Sequence, residues 1–268
     1  MRLTLLIFSL TFLTIGCKSS IVEDDNQPEE YPAFIPKITE HQQEALITRY
    51  KNSNPGFCAS INEFGLNEGD ICLDREIVRV KIEEDDHPRL KEIAAEFLVR
   101  NEEYTNVTDP GQLQVQQTYL LNGCIQCDGS EGDSRPITLR IVYSNQTYNG
   151  LEVDRTTLTA FVDMEKVYML HGHWYSDFVV PDVDSLRFSD VRNSLIDREF
   201  SYNDGFGNKT YTITEESFGQ LEERMIFPHE TDDGKELRVV LVVDAGIWNF
   251  YTDSTTGELL HKRQRIFF

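Results

Sequence analysis

The spacing of apolar and polar residues predicts alternating helices and strands in the first half of the chain. Residues 38–52 follow a helical spacing that begins at a threonine suited to an N-cap, and residues 87–104 repeat that spacing with a proline near the first turn. Residues 76–82 and 112–121 alternate as half-buried strands do. We therefore predict a mixed region of helix and strand over residues 37–136.

Strand patterns dominate the second half of the chain. Residues 137–144 and 158–162 are rich in β-branched and aromatic side chains, and the Asn-Gly pair at 149–150 is typical of a two-residue hairpin turn. An amphipathic helix over residues 184–200 and closing strands with a hairpin over 236–266 follow. Together these elements predict an α+β fold in which helices pack on antiparallel sheets.

The first residues have the pattern of an exported lipoprotein. Arg2 precedes an apolar run too short to span a bilayer, and the run ends in Gly16 and Cys17. The stretch LTIGC resembles the bacterial lipobox, which implies that residues 1–16 are a lipoprotein signal peptide and that Cys17 is the lipid attachment site, a palmitate anchor. We expect an outer-membrane lipoprotein of the cell envelope, on its periplasmic or surface face, held to the membrane by lipid alone.

The charge pattern predicts a tether near the N-terminus and excludes nucleic acid as a partner. Residues 17–36 are acidic and contain three prolines, which predicts a disordered tether. The whole chain has a net charge of -21, which repels a phosphate backbone, and no cluster of basic and aromatic residues offsets that repulsion. Nucleic acid is therefore not expected as a partner.

Four cysteines follow Cys17, and in an exported chain an even number favours disulfides. They are Cys58, Cys72, Cys124 and Cys127. The last two can close a local bridge or reach the first two, so the pairing stays open. A redox motif normally needs a helix N-terminus at its first thiol, whereas Cys124 lies among glycine and aspartate between strands, so structural bridges are the better interpretation.

Residues 137–181 contain a strand that ends in the pattern Q-x-Y-N-G-x-x-V and leads into h-V-D-x-x-x-x-V. The residues that form this pattern are Gln146, Tyr148, Asn149, Gly150, Val153, Val162, Asp163 and Val167. The segment resembles FTP, which occurs in the propeptides of thermolysin- and fungalysin-type metallopeptidases. The family usually has a glycine pair after the valine, where this chain has Asp154, Arg155 and Thr156.

Residues 182–268 are similar to the PepSY domain that follows in the same propeptides, whose last hairpin reads W-x-x-x-x-D-x-x-T-G-E-h-h. The residues that carry this resemblance are Trp248, Asp253, Thr256, Gly257, Glu258, Leu259 and Leu260. The resemblance implies cystatin-like layers of helix on antiparallel sheet in the C-terminal half.

The resemblance also implies a function without catalysis. The peptidases that carry such propeptides use a His-Glu-x-x-His helix to hold zinc, and the printed sequence contains no such spacing. We expect no enzyme activity, no catalytic residue and no cofactor. The expected role is a binding module that inhibits an exported metallopeptidase or assists its folding. The alternative is a structural or assembly component of the envelope that binds a peptide or glycan.

Two further groups of side chains are candidates for binding. Four aromatic residues near strand ends could contact a partner if they are exposed, although most aromatics of this kind form sheet core. They are Trp174, Tyr175, Trp248 and Tyr251. His171, His173 and Asp177 could be metal ligands on one strand face, but the neighbouring glycine and aromatics favour an ordinary strand end, so no metal is expected.

Overall fold

The structure is a computed structural model that describes residues 31–55, 60–69, 77–127, 133–176, 178–181, 186–203, 205 and 207–265. These residues form an α+β fold, as predicted, with four α-helices and thirteen strands. The helices are α1 (Glu40–Ser53), α2 (His87–Arg100), α3 (Glu102–Thr105) and α4 (Phe188–Leu195). The strands are β1 (Ala33–Pro36), β2 (Val115–Cys124), β3 (Ser134–Tyr143), β4 (Thr147–Tyr148), β5 (Leu151–Val153), β6 (Thr159–Val162), β7 (Val167–His171), β8 (Glu199–Asn203), β9 (Asn208–Thr212), β10 (Phe218–Glu230), β11 (Gly234–Ala245), β12 (Trp248–Asp253) and β13 (Leu259–Gln264).

The described strands form three sheets. A four-stranded antiparallel sheet has the order β2-β3-β6-β7, and β8 pairs with β9 in a two-stranded ribbon. The third sheet has the order β13-β12-β11-β10-β5-β4, and β1 pairs with β11 beside this path. Since β4 and β5 belong to this third sheet, the segment that resembles FTP adds two strands to the sheet built from the segment that resembles PepSY.

The helices start and end where their sequences dictate. Thr39 accepts a hydrogen bond from the backbone of Gln42, and the Gln42 side chain accepts one from the backbone of Thr39, which completes a capping box before α1. Pro88 lies in the first turn of α2, where its missing N–H is not needed. Four buried residues on one face of α2, Leu90, Ala94, Phe97 and Leu98, pack on the four-stranded sheet.

The Asn-Gly pair forms the predicted hairpin turn between β4 and β5. Asn149 and Gly150 both have positive φ, 50° and 77°, and Tyr148 pairs directly with Leu151. A two-residue turn of this kind needs left-handed backbone at both central positions, which asparagine and glycine adopt at low cost.

Three predicted boundaries are wrong. Residues 33–36, placed in the disordered tether, form β1, because Ala33 is buried and the segment pairs with β11. Residues 77–82 form no strand, and their amides at Val78 and Ile82 donate to the Asp163 carboxylate and the Pro136 carbonyl. The predicted helix over 184–200 is the shorter α4, since Asp197 turns the chain with φ of 65° before β8. The helix predicted over 87–104 is present as two helices, α2 and α3, which are separated at Asn101. Residues 1–30, including Cys17, lie outside the described residues.

Among the described residues, none of the helices has the length and apolar character needed to cross a membrane.

Candidate protein-binding surface

Strand β2 is an edge of the four-stranded sheet and pairs with β3 alone among the described strands. Residues 110–127, which contain β2, include no acidic, basic or histidine residue, although charged residues make up 26% of the chain. Natural edge strands are usually protected by charged side chains or proline, and β2 has neither. We call this strand, with its outward-facing backbone, the β2 edge.

Large apolar side chains are exposed along the β2 edge. Val115, Tyr119, Leu120 and Leu121 are 40%, 43%, 41% and 37% exposed. Phe34 and Val80 are the other large hydrophobic residues exposed to this degree in the described part of the chain. Four of the six therefore lie on one strand, and an apolar concentration of this kind marks a binding surface more often than scattered exposed residues do.

The centre of the β2 edge is regular and held in place. Gln117–Leu121 pair without interruption to Val142–Thr138, and irregular register occurs only on either side of this run. Leu120 lies opposite the fully buried Leu139, while Tyr119 lies opposite Arg140. The Arg140 guanidinium lies 5.5 Å from the Tyr119 ring centre, a cation–π contact that orients the exposed ring. A regular, oriented strand of this kind can accept another strand beside it.

The four aromatics predicted to contact a partner are core residues, so that prediction is wrong. The exposed fractions of Trp174, Tyr175, Trp248 and Tyr251 are 1%, 6%, 3% and 2%. Trp248, for example, packs among Phe200, Tyr202, Tyr211 and Phe250. Aromatic side chains have large apolar areas to bury, and the third sheet and the β8–β9 ribbon cover Trp248.

The polar residues that carry the family resemblance stabilise turns and junctions. The Gln146 amide donates to the Tyr175 carbonyl and accepts from the Tyr175 N–H, at 2.7 and 2.8 Å. The Asp163 carboxylate accepts from the backbone N–H groups of Glu165 and Lys166, which closes the turn between β6 and β7. These side chains have structural partners, so the motif residues Gln146 and Asp163 stabilise the local fold.

Asp253 has the same kind of role in the last hairpin. Its carboxylate accepts from the N–H groups of Thr255 and Thr256 and from the Arg238 guanidinium at 2.9 Å. Burial raises the pKa of Asp253, but these hydrogen bonds outweigh it and hold the pKa below its usual value. Asp253 is fully buried and therefore depends on those partners.

The departure from the family pattern after Val153 also has a structural role. Asp154 forms an ion pair with Arg263 at 2.5 Å, and Thr156 accepts from the Gln146 N–H while donating to the Val153 carbonyl. Arg155 has a φ of 60°, a left-handed conformation that glycine adopts more readily.

The histidines near the end of β7 are placed for packing. His173 Nδ1 lies 2.8 Å from the Asn67 carbonyl, to which it donates, and burial lowers the pKa of His173 to about 4. The His171 ring meets Phe161 edge-on, and Asp177 lies outside the described residues. Within the described ranges, no three His, Cys, Asp or Glu side chains are grouped in a way that could hold a metal.

One predicted cysteine pair is joined at the end of the β2 edge. Cys124 and Cys127 form a local disulfide, which is one of the pairings that the sequence left open. The Arg79 guanidinium lies within hydrogen-bonding distance of both sulfur atoms and of the Cys124 carbonyl. Cys58 and Cys72 lie outside the described residues.

A shallow cleft of about 430 Å³ lies between the end of α1, α2 and the β6–β7 turn. Its charged lining residues are Glu96, Arg100, Glu165 and Lys166, which balance one another. The cleft is thus a polar depression with no net charge, which differs from the apolar β2 edge.

Comparison with known proteins leaves the chain without a family assignment. No protein-family model and no curated protein matches it. Among solved structures, the Bacillus megaterium YpeB C-terminal domain is similar over 87% of this chain and 100% of that domain. The identity is 10% and the TM-score is 0.33. A likeness this low establishes no shared function.

Proposed function

We propose that this protein is a non-catalytic, lipid-anchored binding module of the cell envelope that binds an exported metallopeptidase through the β2 edge and inhibits it or assists its folding. The observation that supports this most strongly is the uncharged β2 edge with its four exposed apolar side chains. The peptidase is proposed as the partner because of the motifs that resemble FTP and PepSY.

The β2 edge fits the addition of a strand from a partner. In an antiparallel edge strand, every second residue directs its N–H and C=O groups away from the sheet, where an extended segment can pair with them. Backbone hydrogen bonds then supply affinity, and side chains on alternate faces supply specificity. Tyr119 and Leu121 lie on one face and Leu120 on the other, so a segment paired with β2 contacts apolar groups on both.

Charge supports the same location. A chain with a net charge of -21 repels an acidic partner over most of its surface. Residues 110–127 contribute nothing to that repulsion, and the nearby Arg140 is occupied by the Tyr119 and Phe161 rings. A partner strand therefore meets no charged side chain on β2 itself.

The test is inhibition and binding measured against a panel of purified exported metallopeptidases, with and without prior unfolding of each peptidase. We expect tight binding to at least one member, and inhibition or faster recovery of its activity. Leu120→Lys adds a charge at the centre of the β2 edge and is expected to weaken binding by about tenfold or more, as loss of a central apolar contact does.

Val80→Lys is the matched control, because Val80 is a comparably exposed apolar residue outside β2 and the charge change is identical. It is expected to bind as the unchanged protein does. Absence of binding across the panel contradicts the peptidase as partner. Equal binding by the Leu120→Lys and unchanged proteins contradicts the β2 edge as the surface.

A second candidate is an envelope assembly component that binds a peptide or glycan, and the cleft beside Glu96 and Lys166 favours it. Affinity capture from envelope extracts separates the two functions. Peptidase enrichment that Leu120→Lys removes supports the first function. Glycan or non-peptidase capture that Glu96→Ala removes and Leu120→Lys retains supports the second.

A further inference from the structure

The Cys124–Cys127 disulfide lies on the surface, at the turn between β2 and β3. Cys127 is exposed and Cys124 is partly buried, so a reagent from solvent meets the Cys127 sulfur first. Exposed disulfides are the ones that exchange readily with thiols, whereas buried structural bridges resist attack. Access alone does not set the rate, because exchange also depends on how well the departing sulfur is stabilised as a thiolate.

A cation lies beside both sulfur atoms of the disulfide. Arg79 Nη1 lies 2.8 Å from the Cys124 sulfur and 2.5 Å from the Cys127 sulfur, and it also donates to the Cys124 carbonyl at 3.0 Å. A guanidinium next to a cysteine favours its thiolate form and so makes it a better leaving group.

One carboxylate holds the backbone of residues 125–127 beside the disulfide. Asp133 accepts hydrogen bonds from the N–H groups of Ile125, Gln126 and Cys127, at 2.8, 2.7 and 2.8 Å. These bonds lower the pKa of Asp133, so it is ionised at neutral pH and keeps these partners. The charge of Asp133 disfavours a nearby thiolate, and the cation at Arg79 offsets that effect.

We propose that the Cys124–Cys127 disulfide is a thiol–disulfide exchange site for low-molecular-weight thiols, with Cys127 as the attacked sulfur and Arg79 as the residue that stabilises the departing Cys124 thiolate. This proposal is independent of the proposed function, because it needs no protein partner.

The exchange balances with two thiol molecules. A thiolate attacks the Cys127 sulfur, a bond forms between them, and the bond between Cys127 and Cys124 breaks, leaving its electron pair on Cys124 beside Arg79. A second thiolate then attacks the sulfur of the bound thiol, and a small disulfide leaves. Cys127 departs as a thiolate and takes a proton from water. The protein disulfide is reduced by two electrons, and the two thiols are oxidised to one disulfide.

The test measures the rate of exchange in the full chain with 2-mercaptoethanol. The oxidised protein is mixed with the thiol at neutral pH, acid-quenched, alkylated and digested, and the peptide with Cys124 and Cys127 is quantified by mass spectrometry. Arg79→Gln is expected to slow exchange about fivefold through the loss of leaving-group stabilisation. Arg79→Lys keeps the charge and is expected to stay within about twofold of the unchanged protein.

Arg89→Gln is the matched control, because it removes the same charge at a side chain that contacts the Met164 carbonyl instead. It is expected to react as the unchanged protein does. The first adduct is expected on Cys127. Equal rates for Arg79→Gln and Arg89→Gln overturn the role of Arg79, and a first adduct on Cys124 overturns the assigned order.

Folding is checked separately by circular dichroism. If Arg79→Gln does not fold, the unchanged protein still tests whether the disulfide is an exchange site. Reduction of this bond in the folded chain at millimolar thiol supports an exchange site, whereas reduction only in denaturant shows a purely structural bridge. Either result leaves the peptidase experiment unaffected.

Discussion

The two long hairpins, β2–β3 and β10–β11, differ in the pairing of one strand. Among the described strands, β11 has neighbours on both sides and is called the covered strand, whereas β2 has a neighbour on one side and is called the bare strand. Strand β11 pairs with β10 on one side and with β12 and β1 on the other, and most of its residues are buried. In the part of the chain that the structure describes, β2 pairs with β3 alone, and most of its residues are exposed. Both strands are rich in apolar side chains, so the neighbours, and not the composition, determine which of them forms core.

The third sheet, which contains the covered strand β11, and the bare strand β2 also differ in their charged residues. The covered sheet contains charged residues with defined partners, such as Arg238 with Asp253 and Asp244 with Arg265. The bare strand contains none. Paired charges in the covered sheet join segments that lie far apart in the sequence, whereas β2 has no charged side chain to protect its free edge.

The largest expected effect distinguishes a buried side chain of the covered sheet from an exposed side chain of β2. Trp248→Ala removes a side chain that is 3% exposed and is expected to lower the free energy of unfolding by about 4 kcal/mol. Leu120→Ala, at 41% exposed, is expected to lower it by less than about 1 kcal/mol. Urea unfolding followed by far-UV circular dichroism gives both values. Comparable losses in the two variants contradict the contrast between covered and bare strands.

The next effect tests the buried charges of the covered sheet. Asp253→Ala leaves Arg238 without one of its two carboxylate partners and is expected to cost about 3 kcal/mol in unfolding free energy. The exposed Asp85→Ala is the control and is expected to cost less than about 0.5 kcal/mol. An Asp253→Ala loss no larger than the control shows that the pair does not fix the hairpin.

A smaller effect depends on pH and comes from His173. Burial lowers its folded pKa to about 4 from 6.5, so the unfolded chain binds a proton first as the pH falls. The stability from neutral His173 is complete above pH 6.5 and is lost as the pH falls toward 4. The expected loss by about pH 5 is on the order of 2 kcal/mol.

His173→Gln is expected to flatten that part of the pH profile, measured by thermal unfolding. The pKa of His261 is lowered by burial in the same direction, so the difference between the two proteins isolates His173. His41→Gln, at an exposed position, is the control that keeps the slope. An unchanged slope in His173→Gln contradicts a neutral, buried His173.

The smallest effect concerns the turn after β5. Arg155→Gly relieves a left-handed backbone and is expected to raise the free energy of unfolding by about 0.5 kcal/mol, with the flexibility of glycine offsetting part of the gain. Arg198→Gly, at a position without positive φ, is the control and is expected to be destabilising. Destabilisation by Arg155→Gly shows that its side chain contributes more than the backbone strain costs.

Local signals in the sequence predicted much of the fold. The start signals of α1 and α2, at Thr39 and Pro88, and the Asn-Gly turn depend on residues only a few positions apart, so they can be read directly from the sequence. The strand predicted over residues 76–82 is wrong because Val78 and Ile82 bond to Asp163 and Pro136, which lie far along the chain. Alternation of apolar residues does not distinguish a strand from an irregular segment packed on a sheet.

The exposed apolar residues of the β2 edge were not predicted, for the same reason. Exposure of Tyr119 and Leu120 depends on β2 having a single neighbour among the described strands, which no local pattern reveals. The signal that was available is the uncharged stretch at 110–127 in a highly charged chain. The aromatics Trp174 and Trp248 were candidates because aromatics favour both cores and interfaces, and only packing separates those roles.

Hydrogen exchange of the β2 and β11 amides tests the central claim most directly, since it reports whether each strand is paired on one side or two. In the free protein, we predict rapid exchange for every second amide from Gln117 to Leu121 and slow exchange for the amides of Leu237–Val243. Uniform protection along β2, equal to that of β11, would contradict the account, because it requires a strand or segment already covering the β2 edge.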